Sequence, residues 1–117
     1  MTTEDEIRAL LARYIDATAR RDLSQMRALF HENAAFSGTL GGRSLVGSIY
    51  PFFDHLAQNE VYSTYEARIV AVSAAKGSGG ARIEERNLFG ATVDTFLHMV
   101  RFDDAGWQIT AKLSRPR

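Results

Sequence analysis

Apolar positions near the N-terminus recur with helical spacing. Ile7, Leu10, Leu11, Tyr14, Ile15 and Thr18 follow the i, i+3, i+4 rule and place one apolar stripe along a helix. Thr3, with Glu6 three residues on, matches a capping box and predicts a start near Glu4. Arg20 and Arg21 fall where that helix ends, which suits its dipole. Asp22 can cap a second helix, with Leu23, Met26, Leu29 and Phe30 facing inward. The chain then turns extended at Ala34-Ala35-Phe36, and Thr39-Leu-Gly-Gly-Arg-Ser44 reads as a turn between two short strands. Ser48 opens a third helix with Ile49, Phe52, Phe53 and Leu56 buried. Pro51 is tolerated there because the first turn has no use for its missing N–H.

Beyond Asn59 the period changes to two. Tyr62–Ser73, Ala81–Phe89, Thr92–Phe102 and Trp107–Leu113 are rich in β-branched and aromatic residues. The breaks at Lys76–Gly80, Gly90-Ala91 and Asp103–Gly106 are short, so these strands should form an antiparallel meander. The predicted class is α+β, a cone-shaped barrel in which a strongly curved antiparallel sheet wraps around three N-terminal helices. Such a cone encloses a hollow. The expected organisation is one domain over residues 1–117.

Composition narrows the chemistry. Fourteen basic and fourteen acidic residues cancel, which removes the electrostatic footprint of a nucleic-acid binder. With no cysteine, disulfides, thiolate nucleophiles and Cys-ligated metals are excluded. No His-x-His, His-x-x-x-His or clustered carboxylates suggest a metal site, so neither metal nor cofactor is expected. Gly77-Ser-Gly-Gly80 lacks the strand-to-helix setting of a phosphate loop, and Val46-Gly-Ser-Ile-Tyr50 lacks the second glycine of a nucleophile elbow. The acidic start Met1–Glu6 and the lack of any long apolar run point to a cytoplasmic protein without membrane contact. Lys112, Arg115 and Arg117 read as a frayed, solvated tail. His31 is expected to cap helix-end carbonyls, and His55 to be solvated.

Several segments carry a resemblance: Arg13-Tyr14, Arg21-Asp22-Leu23, Ala28–Ala34, Val46-Gly47, Glu85-Arg-Asn-Leu88 and Val100–Ile109. Over nearly its whole length the chain resembles the nuclear-transport-factor-2-like superfamily, in particular its SnoaL-like and lumazine-binding group. That superfamily holds isomerases, dehydratases, cyclases, ligand binders and association domains, so the resemblance implies the fold and leaves the activity open. Against the similar ketosteroid isomerases, Tyr14 falls on the oxyanion-hole tyrosine and His98 on the hydrogen-bonding acid. Ser37 and Gly38 stand where the base would be, which argues against steroid isomerisation.

Strand alternation groups the remaining candidates. Ala81, Ile83, Glu85, Asn87 and Phe89 share one face, and Asp94, Phe96, His98, Val100 and Phe102 share another. The resemblance implies that these two faces line the hollow together. A carboxylate there needs a partner, and Glu85 with His98 is the expected pair, joined by Asn87, Asp94 or Tyr14. The leading expectation is therefore a cofactor-free binder of a small apolar or ring-containing molecule. Phe36, Phe53, Phe96 and Trp107 would supply its walls, and Tyr14, Glu85, Asn87, Asp94 and His98 its polar contacts. The alternative is a cofactor-free dehydratase, isomerase or cyclase, with His98 or Glu85 as base and Tyr14 as donor to an oxyanion. The opposite face, with Val93, Leu97 and Met99 flanked by Leu88 and Val70, predicts a homodimer through the outer sheet surface.

Overall fold

A computed structural model describes residues 1–117. The elements are α1 (Thr3–Arg20), α2 (Leu23–Leu29), β1 (Phe30–Leu40), β2 (Arg43–Ser48), α3 (Tyr50–Gln58), β3 (Glu66–Ala75), β4 (Ser78–Leu88), β5 (Ala91–Phe102) and β6 (Gly106–Pro116). All strands join one six-stranded sheet in the order β2-β1-β6-β5-β4-β3. The fold is α+β, as the patterning predicts. β3 to β6 form the expected antiparallel meander, but β1 lies parallel to β6. The sheet is therefore mixed, and it stays open because β2 and β3 sit at opposite edges.

The turn between α1 and α2 ties the helices together. Arg21 ends α1 in the left-handed conformation, with φ of 51°. Its guanidinium donates to the carbonyls of Leu56 at 3.0 Å and Ala57 at 2.8 Å, which the end of α3 would otherwise leave unpaired. Asp22 caps α2 by accepting from the Gln25 N–H at 3.1 Å. Ser48 accepts from the Tyr50 N–H at 3.1 Å, and Pro51 sits in the first turn of α3 as expected. The capping box of α1 lies one residue earlier than predicted. Thr2 accepts from the Asp5 N–H at 3.1 Å and Asp5 accepts from the Thr2 N–H at 3.0 Å. Thr2–Asp5 and Thr3–Glu6 have the same spacing, so the sequence offers both.

The helical stripe Ile7, Leu10, Leu11 and Tyr14 packs with Met26, Leu29, Phe30, Phe52 and Leu56 against Ala81, Ile83, Leu97, Met99 and Ile109 of the sheet. Each Ile, Leu, Met or Phe side chain among them contributes about 1.5–3 kcal/mol on burial. This packing decides which face of β5 is inner, and it reverses the expectation. Val93, Thr95, Leu97 and Met99 lie under the helices, the last two 0% and 1% exposed, while Asp94, Phe96 and His98 face outward. The apolar face of β5 is thus core, and Val93, Leu97 and Met99 are not an outer surface. Leu88 is likewise buried, and Val70 sits at a bulge between Ile69 and Ala71.

A second bulge changes β6. His98 pairs Ala111 and Met99 pairs Ile109, leaving Thr110 as an extra residue. The alternation restarts beyond it, so Ile109, Lys112 and Ser114 are buried while Leu113 is 45% exposed. Lys112 is therefore interior rather than part of a solvated tail. Arg117 is also held: it donates to Glu84 at 2.5 Å and to Asp94 at 3.1 Å.

Candidate functional site

Glu85 projects from β4 into the core beneath α1, fully buried. Three hydroxyls donate to its carboxylate: Tyr65 at 2.7 Å, Thr95 at 2.5 Å and Tyr14 at 3.4 Å. Burial first, and the Glu85 charge second, push both tyrosine pKa values above the ordinary phenol range, so both remain donors. Tyr14 is placed by the apolar stripe of α1 and Thr95 by the inner face of β5. Tyr65 lies just before β3.

The cation of this network is Lys112. Its Nζ donates to the Tyr14 oxygen and stands 3.8 Å from the centre of the Phe52 ring and 4.9 Å from that of Tyr14. Burial lowers its pKa to about 8, a shift that the Glu85 charge partly opposes. An ammonium has three N–H donors, and Tyr14 takes one. The order is therefore Lys112, Tyr14, Glu85, with the positive end nearest the sheet's β1–β6 side.

Lys112 also lines a cavity of about 300 Å³. Its lining includes the buried Phe36, Phe52, Leu88, Val93 and Lys112 and the more exposed Leu40, Gly41, His55, Phe89 and Pro116. His55 rests edge-on against Phe89 with ring centroids 4.6 Å apart, and burial lowers its pKa, which keeps it neutral near pH 7. The cavity combines aromatic walls, a cation and a neutral imidazole. It lies within the size range of small-molecule sites. No three His, Asp or Glu side chains converge in a way that could hold a metal ion.

The predicted residues separate into distinct places. Phe36 lines the cavity. Tyr14 and Glu85 stand behind Lys112 and do not line it. Phe53 is core beside Phe30, with ring centroids 5.5 Å apart. Trp107 donates to Glu6 at 3.1 Å, at another part of the molecule. Asn87, with φ of 54° in the β4 bulge, donates to Thr64. Asp94 pairs with Arg82 and Arg117 on the outer face, and these partners hold its pKa below the usual carboxylate range. Phe96 and His98 are also outer.

The expected Glu85–His98 pair does not form. Glu85 is registered with Val93, whereas His98 is registered with Gly80 and Ala111, so the two side chains lie on opposite faces. His31 differs as well: its Nδ1 accepts from the Asn33 N–H at 3.0 Å rather than capping a carbonyl. Sequence reasoning missed Lys112, His55 and Tyr65. Only Tyr65 carried a local signal, as an aromatic at the head of a predicted strand.

Comparison with solved structures agrees on the fold. An NTF2-like protein of unknown function from Silicibacter pomeroyi DSS-3 is 25% identical with a TM-score of 0.85, covering 100% of both chains. Another, from Methylobacillus flagellatus KT, is 23% identical with a TM-score of 0.84, covering 97% of this chain and 90% of that one. A cystatin-like fold protein from Burkholderia xenovorans LB400 is 16% identical, with a TM-score of 0.78 over 97% of this chain and 91% of its own. No curated protein matches the chain. The family model described as "Putative lumazine-binding" matches residues 2–114, and the chain belongs to that family, within the NTF2-like superfamily.

Proposed function

We propose that the protein binds a small, ring-containing, largely apolar molecule in the Phe36–Lys112 cavity, with an oxygen acceptor of the ligand turned toward Lys112. The observation that carries this is a buried lysine that lines the cavity and whose ammonium has a single hydrogen-bond partner. Leaving donors unpaired at such a place is costly unless a ligand or water takes them. Aromatic walls favour flat rings, and His55 adds an imidazole at the rim. Lumazine, named in the family's description, is a flat two-ring compound with carbonyl acceptors, so it belongs in the first panel tested. An acid–base reaction using His98 is not supported, because His98 lies outside this cavity.

The test is thermal unfolding with lumazine, naphthalene and naphthalene derivatives carrying an alcohol, aldehyde or carboxylate. Oxygen-bearing rings should raise Tm more than the hydrocarbon, and Lys112→Met should erase that difference. Equal shifts in the variant, or none in either protein, would refute the reading.

We also propose that a second copy covers the outer sheet face, at a patch different from the one alternation suggested. Phe96 and Leu113 are registered neighbours on β5 and β6, 43% and 45% exposed, beside a shallow groove containing Ala35 and Ala111. Apolar neighbours on a sheet face are a common homodimer surface. Sedimentation should show a dimer for the native chain and a folded monomer for Leu113→Glu. A native monomer would refute the proposal.

A further inference from the structure

The cavity holds a lysine in the setting that makes an amine reactive. Its Nζ is shielded from water, lies beside aromatic faces, and is joined by a hydrogen bond to a tyrosine that in turn reaches a carboxylate. We infer that Lys112 is a covalent site, forming a Schiff base with an aldehyde or ketone that enters the Phe36–Lys112 cavity. This rests on the preceding reading that a small molecule presents an oxygen to Lys112, and specifies that oxygen as a carbonyl.

The geometry supplies the proton relay. The ammonium must first lose a proton, and the path runs from Nζ to the Tyr14 oxygen while the Tyr14 proton passes to Glu85. The free Nζ electron pair then attacks the carbonyl carbon as the C=O π pair moves to oxygen. That oxygen takes up a proton, and the nitrogen sheds one, giving a carbinolamine. The proton held on Glu85 returns through Tyr14 to the hydroxyl, which leaves as water while the nitrogen pair forms the C=N bond. The sum is carbonyl plus ammonium giving iminium plus water, with no oxidant or reductant required. Burial lowers the cost of removing that proton and so enlarges the minor free-amine fraction at neutral pH, which is how lysine nucleophiles are commonly activated. Tyr65 and Thr95 hold the Glu85 carboxylate in place and would act as positioning residues.

The chain contains its own control. Lys76 lies in the turn between β3 and β4, remote from the cavity and exposed. The full chain is incubated with 2-naphthaldehyde and sodium cyanoborohydride near neutral pH, digested, and mapped by mass spectrometry. Reductive trapping should mark Lys112 roughly tenfold faster than Lys76. 2-Naphthylmethanol, which has the same ring system but lacks the carbonyl, should raise Tm and protect Lys112 from trapping. Tyr14→Phe should slow trapping at Lys112 and shift its pH profile, with Lys76 unaffected. If the alcohol raises Tm but the adduct forms only on Lys76 and the N-terminus, the covalent inference falls while ligand binding stands. If the alcohol leaves Tm unchanged and Lys112 is not trapped, both fall.

Discussion

Replacing Glu85 with alanine should cost about 3–5 kcal/mol of folding stability, the range for removing one partner of a buried charged pair. Glu85 receives hydrogen bonds from Tyr14, Tyr65 and Thr95, and its charge is the one that offsets the desolvation of Lys112. Alanine would leave those hydroxyls without their acceptor and Lys112 without its countercharge. Glu85→Gln keeps the shape and one carbonyl oxygen, so a smaller loss of about 1–3 kcal/mol is expected. The pair Glu85→Leu with Lys112→Met removes both charges, and should recover much of what the alanine variant loses. Urea unfolding at neutral pH measures all of these. A loss below about 1 kcal/mol for Glu85→Ala would mean that water satisfies the network. A double variant no better than the single would uncouple Lys112 from Glu85.

Stability should rise with pH on the alkaline side of neutrality, against the usual trend. Lys112 has a folded pKa of about 8, below its ordinary 10.5. Between those values the unfolded chain binds more protons than the folded one, so unfolding free energy increases with pH. Below the folded pKa both states are protonated, and the full cost of burying the charge is present. That cost is on the order of 3 kcal/mol, and about 2 kcal/mol of it should be relieved between pH 7 and 9.5. Tyr14 and Tyr65 oppose the trend at higher pH: their folded pKa values are raised, so the unfolded chain loses phenolic protons first. The curve should therefore turn over near pH 10. Urea unfolding across this range should show the rise in the native protein and its absence in Lys112→Met. A flat native profile would mean that Lys112 is hydrated in the folded state.

The helices were legible because their information is local. The stripe from Ile7 to Thr18, the Asp22 cap, Pro51 in a first turn and the buried face of α3 are spacings within one or two turns of chain. The meander was legible for the same reason, since short breaks force neighbours to pair antiparallel. Glu85 could be singled out as a carboxylate on an apolar face, and Phe36 as a wall residue. Alternation also divided β5 correctly into two faces. It could not say which face the helices would cover, and assigning the hollow by analogy chose the polar one.

The sequence by itself determined the class of fold, the order of its elements and the presence of a buried acid needing partners. Tertiary structure decided which partners that acid received. The parallel pairing of β1 with β6 joins strands far apart in the chain, and its closure gains nothing that a local pattern records. The bulge at Thr110 inserts one residue into a two-residue period, which moves Lys112 from the solvent side to the interior. Only the packed helices then bring Tyr14 and Phe52 over that lysine. A single unpaired residue in one strand thus separates a surface cation from a buried one.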